Sequence, residues 1–234
     1  MTLEKTIVHI GPGLFSLPDE IKPGESHYCF DPGYSYTPHN LDYLSSMYPL
    51  PFKEKVELFW RRCNSYSLLS PAITRLKEQG VEFISRAAIE TGLPADSVDE
   101  IYAFNVFCIP RKTNTWKTFC EAERILKPTG YFYIGTNGTP ENFTLDDLQN
   151  VAEISGLDVE ILVDCVHPKI INQEEAHHIS TIFKPHFRCR SGNRNENLYL
   201  AKLTKNHTRK DYYNQFVEDI LTQPGNTNLK RMLG

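Results

Sequence analysis

The chain has 234 residues, of which 40% are hydrophobic and 12% aromatic, enough apolar side chain to bury one substantial core. Its formal charge of -4 argues against a surface built around nucleic acid, which would carry a basic stripe. No apolar run approaches the roughly 20 residues needed to span a bilayer.

The N-terminus runs straight into an apolar strand pattern, with neither a long hydrophobic region nor a cleavage-like site, so no signal peptide is expected. Six cysteines stand singly, with no CxxC pair, and read as reduced thiols of a cytoplasmic protein.

In chain order, Thr6 to Ile10 reads as a buried strand entering a tight turn at Gly11-Pro12-Gly13. Ser26 to Phe30 repeats the pattern and closes on Asp31-Pro32-Gly33. Ser70 and Pro71 suit the start of a helix that Gly80 stops, with Ile73 and Leu76 sharing a face. Val81 to Ser85 and Glu100 to Phe107 follow as the third and fourth strands. Trp116 to Leu126 is an amphipathic helix with Trp116, Phe119, Ala122, Ile125 and Leu126 on one stripe. Lys127 to Gly130 ends it, and Tyr131 to Gly135 is the fifth strand. Thr144 and Asp147 have capping-box spacing, with Asp in place of the usual Glu, and open a helix that stops near Gly156. Val159 to Val163 and Leu198 to Leu203 are the sixth and seventh strands, and a last helix is expected from about Arg209 to Thr222. Strands alternating with helices imply an α/β fold with a mainly parallel sheet covered on both faces.

Gly11 and Gly13 would let a backbone approach a ligand closely. An acidic residue at the end of the second strand, about 20 residues past the glycines, stands where a ribose hydroxyl pair would be bound; Asp31 equally suits the start of an Asp-Pro-Gly turn. Gly80-Val81-Glu82-Phe83-Ile84-Ser85-Arg86-Ala87-Ala88, then Gly92 to Phe107, then Glu121-Ala122-Glu123-Arg124-Ile125-Leu126-Lys127-Pro128-Thr129-Gly130 resemble class I S-adenosylmethionine (SAM)-dependent methyltransferases. The resemblance runs in order over about residues 6 to 204, and the last segment is its most specific part. It implies a Rossmann-like, seven-stranded sheet with the last strand antiparallel. It also implies SAM as cofactor, with Gly11 and Gly13 flanking the methionine part, Asp31 on the ribose, and Arg86 and Ala87 near the adenine. Asn105, at the end of the fourth strand, would lie near the transferred methyl and the substrate.

The chain departs from the family pattern at His9, where an acidic residue is usual, and at Phe15, which replaces the third glycine. Pro18 and Pro23 break the segment where the first helix is expected. These departures keep two alternatives open beside a methyltransferase acting on a small molecule. One is a non-catalytic binding protein on the same scaffold, such as an inhibitor, immunity factor or complex subunit. The other is a different SAM-using transferase, such as an aminopropyl-type enzyme.

Two insertions elaborate the expected single domain. Pro32 to Leu69 is rich in aromatics and reads as a lid or a satellite core, and Cys165 to Asn197 holds four histidines. Both leave from the carboxyl edge of the inferred sheet, where open α/β folds bind ligands. His167 and His177 from the second, and Tyr36 from the first, are the candidate general bases, with His178 and His39 beside them. The His and Cys spacings fit no compact zinc finger or ribbon, so no metal is expected. The expected partner is a small-molecule substrate rather than a protein, with no nucleic acid and no membrane.

Overall fold

A computed structural model describes residues 4–12, 21–31, 34, 73–104, 106–107, 115–138, 143–164 and 197–206. Within them the strands are β1 (Lys5–Ile10), β2 (Glu25–Phe30), β3 (Glu82–Ile84), β4 (Val98–Phe104), β5 (Leu126–Gly138), β6 (Leu157–Asp164) and β7 (Asn197–Lys205). The helices are α1 (residues 73–78), α2 (Thr115–Ile125) and α3 (Leu145–Ile154).

The strands form one seven-stranded sheet in the order β3-β2-β1-β4-β5-β7-β6. Pairings from β3 through to β5 are parallel, and β7 is antiparallel to both β5 and β6. This is the α/β, Rossmann-like arrangement implied by the resemblance, including its antiparallel last strand. The order reverses between β1 and β4, so a crevice opens beyond the carboxyl ends of those two strands.

Alternation along the strands assigns two faces. Val8, Ile10, Phe30, Ile101, Ala103, Phe132, Ile134, Ala201 and Leu203 form the main core. Phe119, Ala122 and Ile125 of α2 and Leu148, Val151 and Ala152 of α3 cover them. The opposite face carries Ile7, Tyr102, Phe104, Tyr133, Leu162 and Leu200. Toward β2 and β3 on that side, Leu76 of α1 packs with Cys29 and Val81.

Most expected elements stand within a few residues of their sequence limits, and the differences have local causes. The fourth strand runs from Val98 to Phe104 rather than from Glu100 to Phe107. The fifth begins at Leu126, pairing with Val98, and the next pairing is Glu100 with Tyr131. Lys127 to Gly130 therefore bulge out between two paired positions rather than simply ending the helix, which closes at Ile125 because Pro128 cannot donate to a helical ladder. Ser70, Pro71, the final helix and nearly all of both insertions lie outside the described residues.

Candidate functional site at the carboxyl edge of the sheet

At the end of β1 the Gly11 amide donates to the Phe30 carbonyl at 2.7 Å. The Asp31 amide donates to the Ile84 carbonyl at 3.1 Å. Three neighbouring strand ends are thereby held level, and Gly11 and Asp31 sit on adjacent ends at one edge. Gly11 has φ +54°, and a Cβ there would stand 3.0 Å from both methyl groups of Val106, just past β4. Glycine thus satisfies two demands at the switch point, a left-handed backbone and a close approach.

Asp31 is 9% exposed, a carboxylate set at the rim of the core. Burial, with the Asp31 charge adding to it, pushes the Cys29 thiol pKa up, which keeps that cysteine protonated. The Tyr34 amide donates to the Asp31 carbonyl at 3.1 Å, so a tight turn follows the carboxylate. That contact fits the reading of Asp31 as a residue that starts a turn just past β2.

Beyond β3, the Arg86 amide donates to the same Ile84 carbonyl that receives the Asp31 amide, at 3.0 Å. The Arg86 guanidinium lies over the Phe30 ring, 5.8 Å from its centroid, and donates to the Thr91 carbonyl. Arg86 is exposed and Ala87 half-buried, on the same edge as Gly11 and Asp31. Gly11, Asp31, Arg86 and Ala87 are thus gathered at one edge. Gly13, Tyr36, Asn105, His167 and His177 lie outside the described residues, as do Phe15, His39 and His178.

His9 is buried on β1 two residues before Gly11, facing away from α2 and α3. Its Nε2 is 3.0 Å from His27 Nδ1, and His27 Nε2 is 3.1 Å from Glu25 Oε2. A carboxylate only accepts, so His27 carries its proton on Nε2, and His9 Nε2–H donates to the bare His27 Nδ1. Burial, reinforced by the neighbouring His27, pulls the His9 pKa down to about 3. Burial also lowers His27, against the opposing pull of Glu25, so the Glu25 contact is a hydrogen bond from a neutral imidazole rather than an ion pair. Where the family pattern has an acid, this strand carries an uncharged histidine.

Glu121 and Thr91 were not singled out as individual residues by sequence reasoning, nor was Val106. Thr91 and Glu121 meet across 30 positions of sequence, with both the amide and the hydroxyl of Thr91 donating to Glu121 Oε1 at 2.7 and 2.6 Å. The available signal was an acidic residue on the buried side of α2, beside Thr118 and Ala122. Among the described residues no group of three or more His, Cys, Asp or Glu could hold a metal ion. No helix among them is long and apolar enough to cross a membrane.

Strand order, the reversal between β1 and β4 and the antiparallel last strand give the Rossmann-like α/β fold that the resemblance to class I methyltransferases implies. Residues 59–134 match the family described as Methyltransferase domain. That match falls within the stretch from which the resemblance to SAM-dependent methyltransferases was read. The matched stretch includes β3, β4, α2 and the start of β5; Gly11 and Asp31 precede it.

No curated protein matches the chain in sequence. Among solved structures, it is similar to a SAM-dependent methyltransferase from Aquifex aeolicus, at 15% identity and TM-score 0.44, covering 86% of this chain and 81% of that one. A TehB-like SAM-dependent methyltransferase from Corynebacterium glutamicum gives 14%, 0.43, 88% and 82% for the same quantities. Phosphoethanolamine N-methyltransferase 2 of Haemonchus contortus, in complex with phosphomonomethylethanolamine and S-adenosylhomocysteine, gives 15%, 0.48, 88% and 49%. At these scores the likenesses add no argument, and the fold rests on the strand order and registers above.

Proposed function

We propose that the chain binds SAM at the carboxyl edge of β1, β2 and β3 and transfers its methyl group to a small-molecule acceptor. The observation that carries this reading is the pairing of Gly11 with Asp31. One is a backbone turn with no room for a side chain; the other is a carboxylate on the next strand end. In this reading Gly11 and Gly13 admit the methionine part, Asp31 accepts from the ribose hydroxyls, and Arg86 and Ala87 border the adenine.

SAM would supply a methyl group on a good sulfonium leaving group. What remains for the protein is to align an acceptor in line with that methyl and to exclude water. Asn105, the residue that follows β4 in the sequence, is the candidate for that alignment. Acceptors protonated at neutral pH need a base, for which Tyr36, His167 and His177 are the candidates, with the insertions 32–69 and 165–197 walling the substrate pocket. The acidic balance of the chain disfavours a nucleic-acid acceptor, and its single cysteines fit a cytoplasmic protein.

One observation favours a second reading, a non-catalytic scaffold: the uncharged His9 on the cofactor strand. Calorimetric titration with SAM and with S-adenosylhomocysteine separates the two. Micromolar binding of both ligands, lost in Asp31→Ala, is the expected result. A folded wild-type protein that binds neither would transfer the case to the scaffold.

A further inference from the structure

We propose that Glu121 is a positioning residue for the nucleoside end of the cofactor, acting through Thr91 to fix the guanidinium of Arg86 beside the strand end that carries Asp31. The inference rests on the SAM reading above and extends it to a residue on the buried side of α2.

Glu121 is 8% exposed and Thr91 3% exposed. A buried carboxylate is costly unless donors surround it. Here four do: the Thr91 amide and hydroxyl at 2.7 and 2.6 Å, and Arg124 Nε and Nη2 at 2.7 and 2.8 Å. Burial alone would raise the Glu121 pKa, but the hydrogen bonds from Arg124 and Thr91 hold it below the usual carboxylate value. Arg124 Nη2 also donates to the Leu93 carbonyl at 2.7 Å, and the Leu93 amide donates to the Thr91 hydroxyl at 3.2 Å. The backbone from Thr91 to Leu93 is therefore pinned to α2 at several points.

That pinned backbone presents the Thr91 carbonyl to Arg86. Arg86 in turn spans from this carbonyl to the face of Phe30, the residue before Asp31. Its own amide shares the Ile84 carbonyl with the Asp31 amide. A continuous set of contacts thus runs from Arg124 through Glu121, Thr91 and Arg86 to the place where the ribose and base would lie. A long, exposed arginine ordinarily samples many rotamers, and immobilising it in advance lowers the entropic cost of binding. The carboxylate on α2 does this without touching the ligand.

The test is calorimetry with S-adenosylhomocysteine on the full chain, comparing wild type, Glu121→Gln, Arg86→Ala and the double variant, with thermal midpoints measured alongside. Each single change is expected to weaken binding by about tenfold, roughly 1.4 kcal/mol, while the double variant is no weaker than Arg86→Ala. A Glu121→Gln protein with a lower midpoint but unchanged affinity would make Glu121 purely structural and overturn the inference. Losses that multiply in the double variant would also overturn it, since Glu121 would then act by a route other than Arg86. If Glu121→Gln fails to fold, Thr91→Val removes one link of the same chain, and the same coupling to Arg86→Ala decides. Failure of wild type to bind is a separate outcome: it removes the SAM reading and the inference with it.

Discussion

Gly130 shows how a residue in a recognisable segment can be fixed by geometry rather than chemistry. A Cβ at that position would lie 2.9 Å from the Asp99 carbonyl oxygen, 2.9 Å from a Leu126 methyl and 3.0 Å from the Val98 carbonyl oxygen. Two of the three obstacles are backbone of β4, which cannot step aside without disturbing its pairing with β1 and β5. Lys127 reinforces the same corner, with Nζ 2.8 Å from both oxygens of Asp99, while Asp99 Oδ2 accepts from the Thr6 amide of β1 at 2.8 Å. Gly130→Ala is therefore expected to destabilise the fold by about 1–3 kcal/mol, the usual range for overpacking a tight site. Urea unfolding monitored by circular dichroism checks this, and a midpoint equal to wild type would show that the bulge adapts. The sequence marked Gly130 as the end of a helix exit; the reason, the Val98 and Asp99 carbonyls on β4, is a long-range contact that no local pattern carries.

Elements with their own start and stop signals were the most legible. Thr144 accepts from the Asp147 amide at 3.1 Å, and Asp147 returns a carboxylate oxygen to the Thr144 amide at 2.9 Å. The substitution of Asp for Glu thus preserves the reciprocal cap. The Thr144 hydroxyl also lies 2.7 Å from the same carboxylate, so its removal costs the helix an amide acceptor and the carboxylate a neighbour. Thr144→Ala is expected to cost about 1 kcal/mol, with Thr144→Ser recovering most of it. Equal stability of all three proteins, by denaturant titration, would contradict a working cap. Gly80 closes α1 as read from the sequence, its amide donating to the Lys77 carbonyl at 3.0 Å while that of Val81 donates to Leu76 at 3.0 Å. Strand limits were less legible, since periodicity marks which residues face inward but not where a partner stops. Leu126 illustrates this: it fits the apolar stripe of α2, yet it pairs with Val98 as the first residue of β5. The positions of Gly11 and Asp31 at strand ends were legible because turn chemistry flags them. The clamp of Thr91 by Glu121 was not, because its partners lie on different elements.

Across four adjacent strands of the sheet, β2, β1, β4 and β5, one face carries a row of stacked rings. His27 and His9 stand 5.3 Å apart, His9 and Tyr102 5.7 Å, and Tyr102 and Tyr133 5.3 Å, all within about 25° of parallel by the usual geometry of offset stacking. Ionisable groups border this row: Lys5 pairs with Glu100 at 2.8 Å, and the Tyr102 hydroxyl donates to Glu100 at 2.6 Å. Burial raises the Tyr102 pKa, with the Glu100 charge adding to it, so the phenol stays neutral. His9, with its pKa lowered from 6.5 to about 3, is neutral when folded but takes up a proton in the unfolded chain below about pH 6.5. The unfolded state then binds more protons, so stability falls as pH drops through that window. His27 shifts in the same direction. For Glu25, burial opposes the shift, but the His27 and Lys22 hydrogen bonds leave its pKa lowered, which likewise removes stability in acid. One pH unit below the unfolded histidine value, a residue such as His9 alone accounts for about 1.4 kcal/mol. The thermal midpoint should therefore decline steadily from pH 7.5 to 5.5, and His9→Phe should flatten that decline without abolishing it, since His27 remains. A decline of undiminished slope in His9→Phe would mean that the pH dependence arises elsewhere in the molecule, not in the buried histidine of β1.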